Sequence, residues 1–228
     1  MQLHIAQDDE ADSLLSRDPL ALLIALVLDQ QIPLERAFRS PLDLSMRLGG
    51  QLDAGAMAAM PPDEMKAIFS IKPALHRFPS SMASRVQELC RVVAQDYGGD
   101  ASMIWKTARS GQELVERVAK LPGFGVQKAK IFTALLGKQM GVKPKGWQQA
   151  CEPFGEAGTY RSVADIDSPG SLAAVRQYKL AMKAAAGASP SGTPSGSKAN
   201  PARKGTKAKG STSSTAAKSA RPPSRSRG

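Results

Sequence analysis

The chain has 228 residues, a formal charge of +11 and a hydrophobic content of 42% with only 5% aromatics, which suits one or two globular domains with a real core. No apolar run approaches the ~18 residues of a membrane span, and the longest, Leu20 to Leu28, lacks the charged start and cleavage site of a secretory signal. The expectation is a cytoplasmic protein with no membrane partner, nucleoid-associated if bacterial. Cys90 and Cys151 stand alone at wide spacing, which speaks against a disulfide framework or a cysteine metal knuckle and leaves two buried or idle thiols.

Nine lysines and arginines and no acid lie between Gly187 and Gly228, so the first 186 residues carry only +2. The body is nearly neutral, and any affinity of it for nucleic acid must come from placed groups rather than a global field.

In chain order, Met1 to Ile5 alternate briefly and an acidic turn follows, too little to assign an element. Asp18-Pro19 predicts a helix start, and the all-apolar run to Leu28 predicts a central buried helix. It ends at Asp29-Gln30-Gln31, because Pro33 disfavours helix for its predecessor. Gln30 and Gln31 should therefore stand at an exposed surface. Short helices are predicted over Pro33 to Arg39, Pro41 to Leu48 and Pro62 to Phe69. Phe78 to Tyr97 forms an amphipathic helix with Met82, Val86, Leu89, Cys90 and Val93 on one face. Ser102 to Ala108 forms another, with Trp105 in the core. Ser110-Gly111-Gln112-Glu113 reads as a capping box. The segment from Gly141 to Tyr160 is irregular. Asp167-Ser168-Pro169 then opens a last helix, with Leu172, Val175, Tyr178, Leu180 and Met182 as its apolar positions. No strand ladder emerges, so the body, residues 1–186, is all-α. Residues 187–228, rich in Ser, Pro, Ala and Lys, offer almost nothing to bury and should form a disordered basic tail that adds salt-sensitive attraction to DNA.

One stretch organises the chain. Leu121-Pro122-Gly123-Phe124-Gly125 breaks the backbone between two helical patterns and predicts a helix, a hairpin and a helix over about residues 111–140. Gly123 and Gly125 supply conformations closed to other residues and let a large ligand approach the main chain. The amides of Gly125, Val126, Gln127 and Lys128 then sit unpaired at a helix N-terminus, a ready site for an anion such as a nucleic-acid phosphate. An ordinary turn between antiparallel helices is the alternative.

This stretch resembles the helix-hairpin-helix motif, and Leu26-Val27-Leu28-Asp29-Gln30-Gln31-Ile32 resembles the helix end of the alkyladenine glycosylase branch of the HhH-GPD superfamily of base-excision repair glycosylases. Pro79 to Val93 and Ser110 to Ala129 are similar to that branch in order and spacing, and the resemblance covers roughly residues 17–140. It implies a two-lobed helical fold, a monomer, and duplex DNA, damaged, as partner. The hairpin amides would grip a phosphate. The carbonyls of Leu121 and Gly123 would hold a monovalent cation. Gln31 would fill the gap left by an extruded nucleotide, although glutamine is also an ordinary surface residue. The implied activity is that of a monofunctional DNA N-glycosylase needing no cofactor.

The pattern also departs from the family. The carboxylate expected about twenty residues beyond the hairpin is replaced by Lys145 or Trp147. Downstream, Asp165 is the next candidate to stabilise the sugar charge, and Asp167 follows it, though a capping duty suits Asp167 or Ser168 as well. The lyase branch places a lysine where Gln127 stands, so Lys128 reads as a phosphate contact or a solvated side chain. Two cysteines cannot supply an iron-sulfur cluster. Trp147 stands open between base stacking and core. The reading is a glycosylase-like repair protein, with a catalytically degenerate helix-hairpin-helix DNA-binding protein as the alternative.

Overall fold

In a computed structural model, which describes residues 2–187, the described residues are all-α and pack as one unit. The helices are α1 Asp9–Arg17, α2 Pro19–Leu28, α3 Leu34–Arg47, α4 Ala54–Ala59, α5 Pro62–Ser70, α6 Pro79–Asp96, α7 Met103–Lys106, α8 Gly111–Ala119, α9 Val126–Gln139, α10 Trp147–Ala150 and α11 Pro169–Gly187, with a 3-10 turn at Val163–Asp165. Among the described residues there is no strand, only an isolated bridge between Ser110 and Lys145. No helix among them is long and apolar enough to cross a membrane.

Helix α2 is the centre. Asp18 accepts from the amides of Leu20 and Ala21 at 2.9 and 3.1 Å, Pro19 takes the first helical position, and every residue from Leu20 to Leu28 is buried. Helices α1, α3 and α6 pack on it; α4 and α5 pack on α6, and α8 packs on α9. A helix apolar on all sides has no solvent face to lose, so it must be enclosed in this way.

Several expectations change. Residues 9–17 do form a helix. Buried Asp12 accepts from the amides of Ile5 and Ala6, both at 2.8 Å, and so ties the first residues to α1. Burial pushes its carboxyl pKa up against the pull of those amides. The two short helices predicted around Pro41 are one, α3, with the proline inside. An interior proline costs ~3 kcal/mol, and burial of Ala37, Phe38, Leu42 and Leu44 outweighs it. Ser40 Oγ meanwhile bonds the carbonyls of Arg36 and Leu75. Helix α4 went unpredicted. Of the apolar positions expected in α11 only Leu172 and Val175 are buried, whereas Leu180 and Met182 are 68% and 53% exposed. Gly187 still closes α11; the rest of the basic tail lies outside the described residues. Trp105 is buried against the edge of Phe132, and both thiols are buried, Cys90 pushed up to about 12 and Cys151 to about 11.

Candidate nucleic-acid interface

The hairpin begins with a capped helix, α8. Ser110 Oγ accepts from the Glu113 amide at 3.1 Å, but the Glu113 carboxylate reaches back to the amide of Arg109 rather than that of Ser110. After α8, the Phe124 amide bonds the Leu121 carbonyl at 3.0 Å, closing the turn, and Leu121 and Phe124 are buried beneath it. Gly123 lies at φ +84°, and a Cβ there would stand 3.2 Å from both methyls of Val27 and 3.3 Å from Arg85 Cδ. The hairpin tip thus docks against α2 and α6, and only glycine meets both demands. Gly125 is different from the expectation. Its φ of −113° and ψ of 174° are ordinary extended backbone, and a Cβ would meet nothing within 4 Å. What Gly125 contributes is open space before the amides, not a special conformation.

Helix α9 has no side-chain cap, and the amides of residues 125–128 have no acceptor among the described residues. These are orphan donors at the positive end of a helix dipole.

Across from the hairpin is the end of α2, where four carbonyls need partners. Ala25 receives the amide of Asp29, Leu26 the ammonium of Lys128, Val27 the side-chain amide of Gln30, and Leu28 the amide of Gln30. Lys128 therefore points inward and joins α9 to α2, in place of the expected phosphate contact or solvated side chain. Burial lowers its pKa, with Asp29 pulling it back up. Gln30 is equally committed, since its Oε1 accepts from Arg85 at 2.9 Å and its carbonyl lies 2.8 Å from His76 Nε2. A direct DNA contact by its side chain would break this network. Gln31 has none of these ties. It is exposed, makes no side-chain hydrogen bond, and sits at φ +56°, one of two non-glycine residues with positive φ in the described chain.

Between the two sides lies a cleft of about 1010 Å³, bordered by Leu26 and Asp29, the start of α9, Phe154, Ser162 and Tyr178. Asp29 and Glu152 are the acids on its wall; Lys130, Arg161 and Lys179 add positive charge.

Asp165 is elsewhere. Its side chain is 3% exposed, paired with Lys138, and its second oxygen accepts from the amides of Arg161 and Ser162 at 2.8 and 3.0 Å. It borders a second cleft of about 690 Å³, not the one at the hairpin. The carboxylate expected to act on a sugar is thus spent on pinning the 3-10 turn to α9. Asp167 accepts from Ser168 Oγ, but the cap of α11 is Ser168, whose Oγ accepts from the Ser171 amide. Hydrogen bonds, chiefly from Ser171, lower the Asp167 pKa. Trp147 also borders the second cleft. Its ring lies over Gly137, where a Cβ would fall 2.4 Å from Cε3 and Cζ3, so it packs as part of the body instead of stacking at the hairpin cleft. Lys145 is exposed, with its carbonyl bonded to the Gly111 amide at 2.8 Å.

Among the described residues no group of three His, Cys, Asp or Glu side chains could hold a metal ion. The carbonyl of Leu121 keeps one lone pair after accepting from Phe124, and that of Gly123 has no partner among the described residues. Asp29 escaped sequence reasoning, and the signal for it was an aspartate at a helix C-terminus, the end where the dipole disfavours an anion. No protein-family model matches this chain, and no curated protein matches it either.

Proposed function

We propose that the protein binds damaged duplex DNA through the α8–α9 hairpin and, in the manner of the HhH-GPD glycosylases it resembles, extrudes a base into the adjoining cleft and hydrolyses its N-glycosidic bond. The observation that carries this reading is the row of unpaired amides at residues 125–128, facing open space beside Gly125. Such a row is a phosphate seat. Gln31 would enter the duplex as the nucleotide leaves it, a role supported by its exposure and its left-handed conformation two residues from the cleft wall. The two-lobed superfamily architecture, base-excision repair as the setting and action as a monomer belong to the same proposal. The neutral carbonyl oxygens of Leu121 and Gly123 suit a hard monovalent cation, which would stiffen the hairpin against a phosphate.

A second reading has its own support. Lys145 or Trp147 stands where the superfamily resemblance expects an acid, and Asp165 is committed to Lys138; a protein that keeps the hairpin and wedge without the chemistry would look the same there. Duplexes carrying one alkylated, deaminated or oxidised base separate the two. Incubation followed by alkali should cleave at least one of them at the lesion. Binding to all of them with cleavage of none favours the binding module.

Gln31→Gly should trade stability against function. A left-handed non-glycine residue costs roughly 1–2 kcal/mol, so the variant should be more stable by about 1 kcal/mol, which for a chain of this size raises the melting temperature by roughly 2–4 °C. Its affinity for a duplex with an extrudable base should fall. A variant that is no more stable would remove the strain argument.

A further inference from the structure

We infer that Asp29 is the carboxylate that serves the chemistry of the hairpin cleft, an inference that rests on the glycosylase reading above. Asp29 is the C-cap of α2, and its amide closes that helix onto Ala25. Its carboxylate is half-buried and has neither a hydrogen bond nor an ion pair among the described residues. It borders the hairpin cleft and an adjoining one of about 290 Å³. The fold makes no visible use of it. The negative end of the α2 dipole is a poor place for an anion, and no side-chain cap is made. By contrast Asp8, Asp18 and Asp53, which cap helix starts, each accept a backbone amide. A half-buried acid with no structural partner on the wall of a cleft is available for function. Glu152, the other acid on this cleft, is exposed. Lys128, fixed on Leu26, lies within electrostatic reach of Asp29.

The step this permits is simple hydrolysis. The bond between the sugar C1′ and the base nitrogen breaks, and its electron pair leaves with the base. The carboxylate stabilises the positive charge that develops on the sugar and takes a proton from the attacking water as the new C1′–O bond forms. That proton then passes to the departing base, leaving Asp29 ionised.

The test uses the full chain and whichever lesion duplex it cleaves best, with a duplex holding a tetrahydrofuran abasic analogue as the binding probe. Asp29→Asn should slow base release at least about a hundredfold, while affinity for the abasic analogue and the melting temperature stay as in wild type. Undiminished release by Asp29→Asn overturns the inference and leaves the glycosylase reading intact. Release lost together with a lowered melting temperature overturns it too, by making Asp29 a structural residue. If wild type releases no base from any duplex, the glycosylase reading fails and takes this inference with it.

Discussion

Asp165→Ala is expected to weaken the fold before it silences any chemistry. The side chain joins Lys138 of α9 to the 3-10 turn, and the two partners are 3% and 14% exposed. Removing one partner of a buried pair strands the other charge in a medium that solvates it poorly, at a cost of ~3–5 kcal/mol. The same change releases the amides of Arg161 and Ser162, which Asp165 holds at 2.8 and 3.0 Å. Against a typical total stability of ~5–15 kcal/mol, the loss should appear as a large fall in the denaturant midpoint. Asp165→Asn keeps an oxygen for the amides but still leaves Lys138 unpaired, and it should fall between the two. A stable Asp165→Asn protein that binds duplex DNA yet releases no base would instead return Asp165 to the catalytic role expected from the sequence.

How far the sequence could be read depended on where each element draws its stability. Helix α2 and the hairpin were legible because their signals are local: a capping aspartate before Pro19, nine apolar residues, then Pro122, Gly123 and Gly125 as punctuation. Helix α1 was not, because it depends on Asp12 reaching back to Ile5 and Ala6, a contact that no periodicity announces. The break expected at Pro41 was a sound local inference that tertiary burial reversed. At the site, residue type alone placed Gln30 and Gln31 together and could not divide their roles. Gln30 is consumed by the carbonyl of Val27 and the guanidinium of Arg85, while Gln31 is left outward. The two hairpin glycines looked equivalent for the same reason, and only the packing of Val27 and Arg85 against Gly123 separates them. Asp29 was hidden because an unpartnered carboxylate is defined by what surrounds it, and its surroundings come from α9, α11 and the Phe154 loop.

The central claim, that the bare amides of the hairpin hold a phosphate, is testable at one atom. Val126 is the first residue of α9 and is 62% exposed, and Gly125 before it already has the extended backbone that a following proline demands. Proline is well accepted at this helical position because no intrahelical bond uses its missing amide. Val126→Pro therefore removes one donor while leaving the helix intact, and stability should change by no more than about 0.5 kcal/mol. A hydrogen bond to a charged group contributes ~1.5–3 kcal/mol, so duplex affinity should fall roughly ten- to a hundredfold. The salt dependence should keep its slope, since that slope counts cationic side chains and none is lost. The deciding measurement is the duplex dissociation constant of folded Val126→Pro against wild type: a fall of that size supports the phosphate seat, and an unchanged constant contradicts it.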